Sequence, residues 1–527
     1  MGQKSTLTRR NTILVVLGVL IIGSIWWYRA AQMRRWIRSI SHQVSVESAV
    51  EAAEQLVKRK KMVKVFKKRT VQAKENAAEV LALLSTRPGV AKKAAENLVE
   101  MLSDIEIPVR QAAAAALGWM GKVAVDPLLE EGLTSPDQDV RRNSTQALIT
   151  IGFPALPKLI NALETGSAPV REGVAFALGE LRSTRSIPAL IGVLNAAEED
   201  VRLSARDALV KIGRPAVRQL IDALAHESYL TRMNAAEALG EIADPVATDS
   251  LLARLKEDSN HLVRIYAAYA LGKLGQRRVV PALLAVLKED DKDLREAAAV
   301  SLGLLKDERA VEPLVLLLRD DAKGVREQAA EALGRIGQVT PSLLESLRSA
   351  MPGTREAAVL ALGRIGEPRT VPQLVGLIKD PAVSVRRRVV WALGNTGPTG
   401  IEALILALQD PDWRVNYAAR DSLARLGSPA VEALLRTFQS GNPLVARYAY
   451  EALAKMDPPP LSQLHAALRA EDKNVRLYAA LSLGEIGTRE ALEPLQQLLS
   501  RERDEQVRLV AQRVLRKRGL LKESESG

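Results

Sequence analysis

Residue types that react or hold metals are scarce in this 527-residue chain. There is no cysteine, which excludes disulfides, thiolate nucleophiles and Cys-ligated metals. The four histidines, His42, His226, His261 and His465, are scattered, and only His226 is followed by a glutamate, Glu227. A metal centre needs several imidazole or carboxylate ligands converging on one point, so His226 reads as a turn residue. No Gly-rich phosphate loop, Ser-His-Asp arrangement or metal-spaced cluster occurs elsewhere. The expectation is a protein that is not an enzyme and carries no cofactor or metal.

The side chains that recur instead are arginines fit for carboxylates. The cleanest setting is Val325-Arg326-Glu327-Gln328-Ala329-Ala330-Glu331-Ala332-Leu333-Gly334-Arg335-Ile336-Gly337. The same register holds Arg110, Arg141, Arg171, Arg202, Arg264, Arg295, Arg386, Arg476 and Arg508, with looser copies at Arg232 and Arg355. Two copies have lost the cation, at Val415-Asn416 and Val445-Ala446. Thirteen steps separate Arg110 from Arg508, a mean period of about 31 residues. A fixed period in that range means stacked supersecondary units.

What must position those arginines is a pair of helices per step. In Ala310 to Gly337, Pro313 sits in the first turn of a short helix, where its missing N–H costs nothing. Leu314, Leu317 and Leu318 give that helix a buried face, and Asp320 with Asp321 make the turn. Val325, Ala329, Leu333 and Ile336 then form the inner stripe of a second helix. Gly334 permits close packing and Gly337 a left-handed cap. One pair cannot bury its stripe alone, so neighbours must stack. Residues 71–103 read as a degenerate first pair, and regular repeats run from about Asp104 to Gly519.

The Val-Arg-x-x-Ala-Ala-x-Ala-Leu-Gly-x-Ile-Gly phrase resembles the short HEAT-like repeat of the phycobilisome lyase type, over roughly four fifths of the chain. The resemblance implies an all-α, right-handed α-solenoid of about 14 helix pairs with the Val-Arg helices on its concave side. It also implies a structural ladder in which each Arg pairs with a turn aspartate. Matching aspartates stand six residues before the Arg position at Asp104, Asp258, Asp320, Asp380 and Asp410. Related repeats occur in bilin lyases and in deoxyhypusine hydroxylase. The hydroxylase binds two irons through several His-Glu pairs, and the lone His226-Glu227 pair cannot build that site.

Departures from the repeat point to binding. Residues 391–478 hold Trp391, Trp413, Tyr417, Phe438, Tyr448, Tyr450 and Tyr478, seven of the chain's eighteen aromatics. Counted from the Arg position, Tyr448 and Tyr478 fall at +2, Tyr417 at +1 and Trp391 at +5, whereas the buried stripe uses −1, +3 and +7. These rings are therefore expected to face away from the core and line a groove for a protein or peptide, with Tyr266 and Tyr269 a separate, weaker candidate. Exposed aromatics on a rigid surface are common binding anchors. The irregular link Asp457-Pro458-Pro459-Pro460 lies in the same span.

The ends carry a different message. Residues 1–10 form a short basic tail, and Asn11 to Tyr28 is eighteen residues without a charge. At about 1.5 Å per residue that stretch just crosses a hydrocarbon core of about 30 Å. Trp26, Trp27 and Tyr28 would close it in the headgroup zone, so 11–28 reads as a single-pass transmembrane anchor. The excess of positive charge on its C-terminal flank places the solenoid in the cytoplasm. Residues 29–70 read as a basic amphipathic segment, with Lys58, Arg59, Lys60, Lys61, Lys64, Lys67, Lys68 and Arg69 as candidates for anionic lipid headgroups. The net charge of +12 sits entirely in residues 1–69, and the remainder balances. Nucleic acid is thus an unfavourable partner for the solenoid, since phosphate neutralisation dominates that affinity. Residues 520–527 are a polar tail. The expected function is a membrane-anchored scaffold holding a protein or peptide in its groove. The alternatives are a lyase-like or other enzyme-associated protein, and a purely structural tether.

Overall fold

The computed structural model describes residues 71–521, Pro88 excepted, together with Glu54. The anchor at 11–28, the basic segment at 29–70 and the tail beyond 521 lie outside those residues, Glu54 aside. Among the described residues there is no strand, and helices follow one another from Val71–Leu83 to Glu505–Lys517. Fourteen pairs can be counted, from Ala91–Met101 with Ile107–Met120 to Arg489–Arg501 with Glu505–Lys517. The described residues form two compact units that divide after Ala270, inside the helix His261–Leu274.

Each pair follows the expected mechanics. In the second unit, Val311–Leu317 is the short first helix and Lys323–Ile336 the second. Leu314, Leu318, Val325, Ala329 and Leu333 are wholly buried; side chains of this kind contribute about 1.5–3 kcal/mol each. Aspartates cap many second helices by accepting from the first free amides, as Asp291 does from Asp293 and Leu294. Gly337 closes its helix with φ +83°, the left-handed cap that favours glycine. The glycine eight residues past the Arg position has another role. A Cβ on Gly303 would lie 2.7 Å from Ala332 Cα, so neighbouring second helices meet backbone to backbone there.

Two expectations need correction. Residues 71–103 are not a first pair in the regular sense. Val71–Leu83 packs beside Ile107–Met120 as a preceding second helix, and Ala91–Met101 is the first helix of the next pair. Lys74, fourth residue of its helix as Arg326 is of its own, occupies the ladder position. Secondly, burial on the second helix is wider than −1, +3 and +7. Ala330 and Ala332, at +4 and +6, are also buried, because second helices of adjacent repeats pack flank to flank. By length and composition the run Ile107–Gly132 could cross a membrane, but half of its apolar window is buried within the first unit.

Candidate functional site

The repeated arginine does two jobs at once. Its Nη1 donates to two carbonyls of its own turn, as Arg355 does to Ser349 O at 2.8 Å and Ala350 O at 3.1 Å. Those carbonyls stand where the chain leaves the first helix, so the arginine staples the turn. The Nε/Nη2 edge is left for the next repeat. Arg232 donates through that edge to Asp258 at 2.8 and 2.8 Å, Arg295 to Asp320 at 2.8 and 3.0 Å, and Arg386 to Asp410 at 2.7 and 2.9 Å. Arg476 uses Glu502 in the same way at 2.7 and 2.9 Å, and Lys74 starts the series on Asp104 at 2.7 Å. Burial is the largest single influence on the carboxyls of Asp258 and Asp380 and would raise them. Hydrogen bonds from Arg232 and Arg355 and from the turn amides of Asn260 and Ala382, with the nearby guanidinium charges, together outweigh it and hold both below the ordinary range.

The other arginines of the register fill the ladder only in part. Arg110, Arg141, Arg202 and Arg326 staple their turns. Arg110 also lies 3.6 Å from Asp139, off the ladder register. Arg171 reaches Glu198 at 2.6 Å, although its Nε is buried without a partner. Arg264 donates from Nε to Leu255 O. Arg508 is exposed and has no acid partner among the described residues. His226 is a turn residue, its Nδ1 accepting from the Ser228 amide at 3.0 Å. Among the described residues no group of His, Asp and Glu could hold a metal.

The ladder stops across the repeats of Asn416 and Ala446. Asn416 recovers part of the staple, donating from Nδ2 to Leu408 O and Asp410 O, while Ser440 and Ala470 stand where acids would be. A different inter-repeat pair appears there, Arg420 with Glu451 at 2.8 Å. Its counterpart in the first unit is Arg206 with Glu237 at 2.7 Å, where His226 stands in the acid's place. Tyr266 lies close to that pair, and its hydroxyl pKa is raised by burial and by the charge of Glu237. Tyr269 is half-buried on the same helix, with Tyr266.

Six of the aromatics assemble in two groups around the ladder gap. Trp413 meets Tyr417 edge-on at 5.6 Å, and Tyr417 meets Tyr448 at 5.5 Å, with the Arg420 guanidinium 4.3 Å above the Tyr417 ring. Tyr478 packs between Phe438 at 5.3 Å and Tyr450 at 6.4 Å. Only Trp413 is fully presented, at 64% exposure, and Tyr417, Tyr450 and Tyr478 are half-buried. Tyr448 contradicts the expected outward orientation: it is 5% exposed. Position +2 lies in the seam between second helices, so a ring there fills the seam. Trp391 stands apart, half-buried beneath the guanidiniums of Arg364 and Arg388 at 5.2 and 5.8 Å.

One set of exposed rings escaped the sequence reading. In the first unit Trp119 is 77% exposed and Phe176 47%. The signal was present: Trp119 falls at +9 from Arg110, a position given mostly to charged residues such as Lys211, Lys273 and Arg335. Two surface grooves lie beside these rings, of about 560 Å³ next to Trp119 and about 400 Å³ next to Phe176.

A profile of HEAT repeats matches residues 60–149, 125–210, 156–226, 193–272, 248–334, 311–394, 374–442 and 431–516. The chain is a HEAT-repeat protein. Phycocyanobilin lyase subunit alpha of Picosynechococcus sp. is 31% identical to it over 167 residues, covering 29% of this chain and 62% of that protein. A phycobilisome maturation protein of Synechococcus elongatus is 34% identical over 104 residues, covering 19% and 49%. This HEAT-repeat chain thus spans less than two thirds of the length of either relative. Among solved structures, that of a Kap95:Nup1 complex superposes with TM-score 0.47 at 14% identity, covering 96% of this chain and 82% of that one. Yeast importin-beta (Kap95p) gives 0.45 at 14%, covering 92% and 79%.

Proposed function

We propose that this HEAT-repeat protein is a non-enzymatic scaffold, anchored in a membrane through residues 11–28 with its repeats in the cytoplasm. Lys58 to Arg69 lie against anionic headgroups in this reading. A protein partner binds on the second helices of residues 413–478. One observation carries the partner site: the exposed ring of Trp413, continued through Tyr417, sits where the ladder arginine has given way to Asn416 and Ala446. A repeat that serves only stacking has no use for a tryptophan in water at the place where it has lost its ladder ion pair.

The test is cross-linked co-purification of the full chain from its own membranes, wild type against Trp413→Ala/Tyr417→Ala. A protein retained by the wild type and lost by the folded variant supports the scaffold. Identical partner sets overturn the aromatic site. Similarity to a bilin lyase subunit supports a second reading, a chain that handles a chromophore. Visible absorbance co-purifying with the chain favours that reading over the scaffold.

A further inference from the structure

We infer that the first unit carries a second, independent site, a furrow that binds an extended acidic peptide and takes its carboxylate on Arg141. The repeat itself shows what the guanidinium edge of this register binds. In Arg232, which lies in the same unit, Nη1 staples the turn while Nε and Nη2 hold the two oxygens of Asp258 at 2.8 Å. Arg141 makes the same staple, Nη1 donating to Ser135 O at 2.8 Å and Pro136 O at 3.0 Å. The residue at the acid's register is Thr165, whose hydroxyl donates to Asn161 O instead. No described acid lies within ion-pair distance of Arg141 or of Arg142 beside it.

A groove of about 400 Å³ opens at this place, lined by Arg141, Arg142, Ile149, Glu172 and Phe176 among others. Arg142 and Gln146 also line the neighbouring groove of about 560 Å³, which reaches Gln111, Asn143 and Trp119. The two grooves adjoin at those residues, and the proposed furrow runs across both, over the helices Ile107–Met120, Gln138–Ile151 and Ala168–Glu180. With second helices about 8–10 Å apart, it accommodates roughly six residues of extended chain at about 3.3 Å each.

Its chemistry selects a peptide. Gln111, Asn143 and Gln146 each offer a donor and an acceptor, the combination a peptide backbone needs. Trp119 supplies an exposed ring for an apolar side chain, and Phe176 a second, part-exposed ring with the Lys211 ammonium 4.3 Å over its centroid. Arg110 and Asp139 lie 3.6 Å apart and balance each other, which leaves Arg141 and Arg142 facing only Glu172, exposed on the rim. Two unpaired cations suit one or two carboxylates and are too few for a phosphate backbone.

The experiment uses the full chain in detergent micelles and an array of fluorescein-labelled nonamers. One series places Asp or Glu two residues from Phe or Leu, and its twin carries Asn or Gln instead. The acidic series is expected to bind, and Arg141→Gln to weaken it at least tenfold. Thr165→Asp should weaken it as much while raising the unfolding midpoint, because the chain then supplies its own carboxylate to the edge; this variant decides the matter even where Arg141→Gln is unstable. Acidic nonamers that bind no better than their amide twins overturn the proposal. So does undiminished binding by the stabilised Thr165→Asp protein.

Discussion

Arg355 donates from Nε and Nη2 to the two carboxylate oxygens of Asp380 at 2.7 and 2.8 Å, with both side chains at most a tenth exposed. This is the most buried ladder pair in the second unit, and it joins two repeats. Asp380→Ala leaves the guanidinium buried without its partner, and removing one member of such a pair costs about 3–5 kcal/mol. In a stack the loss is local to nearest neighbours. Hydrogen exchange should therefore accelerate in Pro352–Ile365 and Val383–Asn395 and leave the helices of the first unit unchanged. Arg355→Lys should also fail to rescue, since an ammonium cannot make the two-pronged contact.

The converse is a rung that can be added. Arg326 staples its turn, but Ser349 occupies the acid register of the next repeat. The Ser349 hydroxyl already accepts from the Met351 amide, as Asp380 does from that of Ala382. Ser349→Asp keeps that turn and completes the pair. The expected gain is about 0.5–1 kcal/mol for a part-exposed charge-assisted contact, read as a higher urea midpoint at low salt and a smaller difference in 1 M NaCl.

Gly303 marks the other inter-repeat contact. A methyl added there would sit 2.7 Å from Ala332 Cα and 2.9 Å from its Cβ, and backbone cannot step aside as a flexible side chain can. Gly303→Ala should cost about 1–3 kcal/mol through overpacking, despite alanine's better helix propensity. An unchanged thermal midpoint would refute the backbone contact.

Much of this was readable in the sequence, and two of the failures share one cause. Val325, Ala329 and Leu333 announce their burial by spacing, because that face meets the partner helix of the same pair. The rungs at Asp258, Asp380 and Asp410 followed from register and the family resemblance together. Tyr448 was misplaced because its environment is a flank between repeats, set by how closely second helices approach, and one helix's period does not report that distance. The pairs Arg206–Glu237 and Arg420–Glu451 were missed for the same reason: their partners lie 31 residues apart and meet only across the seam.

Acid should find a specific weak point in the second unit. Asp307 accepts from Arg309 at 2.8 and 2.9 Å, and this hydrogen bonding, against some opposing burial, lowers its carboxyl to about 2. An unfolded aspartate titrates near 3.9, so the folded state binds the proton more weakly. The stabilising contribution is complete above about pH 4 and disappears as pH falls toward 2. Asp307→Asn should lower stability at pH 7 and leave it nearly unchanged at pH 2. Urea titrations at the two pH values measure the difference; equal losses at both would show that the charge is not the cause.

Trp413 and Tyr448 separate stability from binding along one row of rings. Tyr448 is 5% exposed and fills the seam beside Tyr417, so Tyr448→Ala opens a cavity and should cost about 3–5 kcal/mol. Trp413 is 64% exposed and touches the row only at an edge, so Trp413→Ala should change stability by no more than about 0.5–1.5 kcal/mol. If the row is a partner site, the order reverses in binding: the stable Trp413→Ala chain should lose its partner. Tyr448→Phe keeps the seam filled and should retain partner and fold together. A Trp413→Ala chain that is stable and still holds its partner would place the binding surface elsewhere on the repeats.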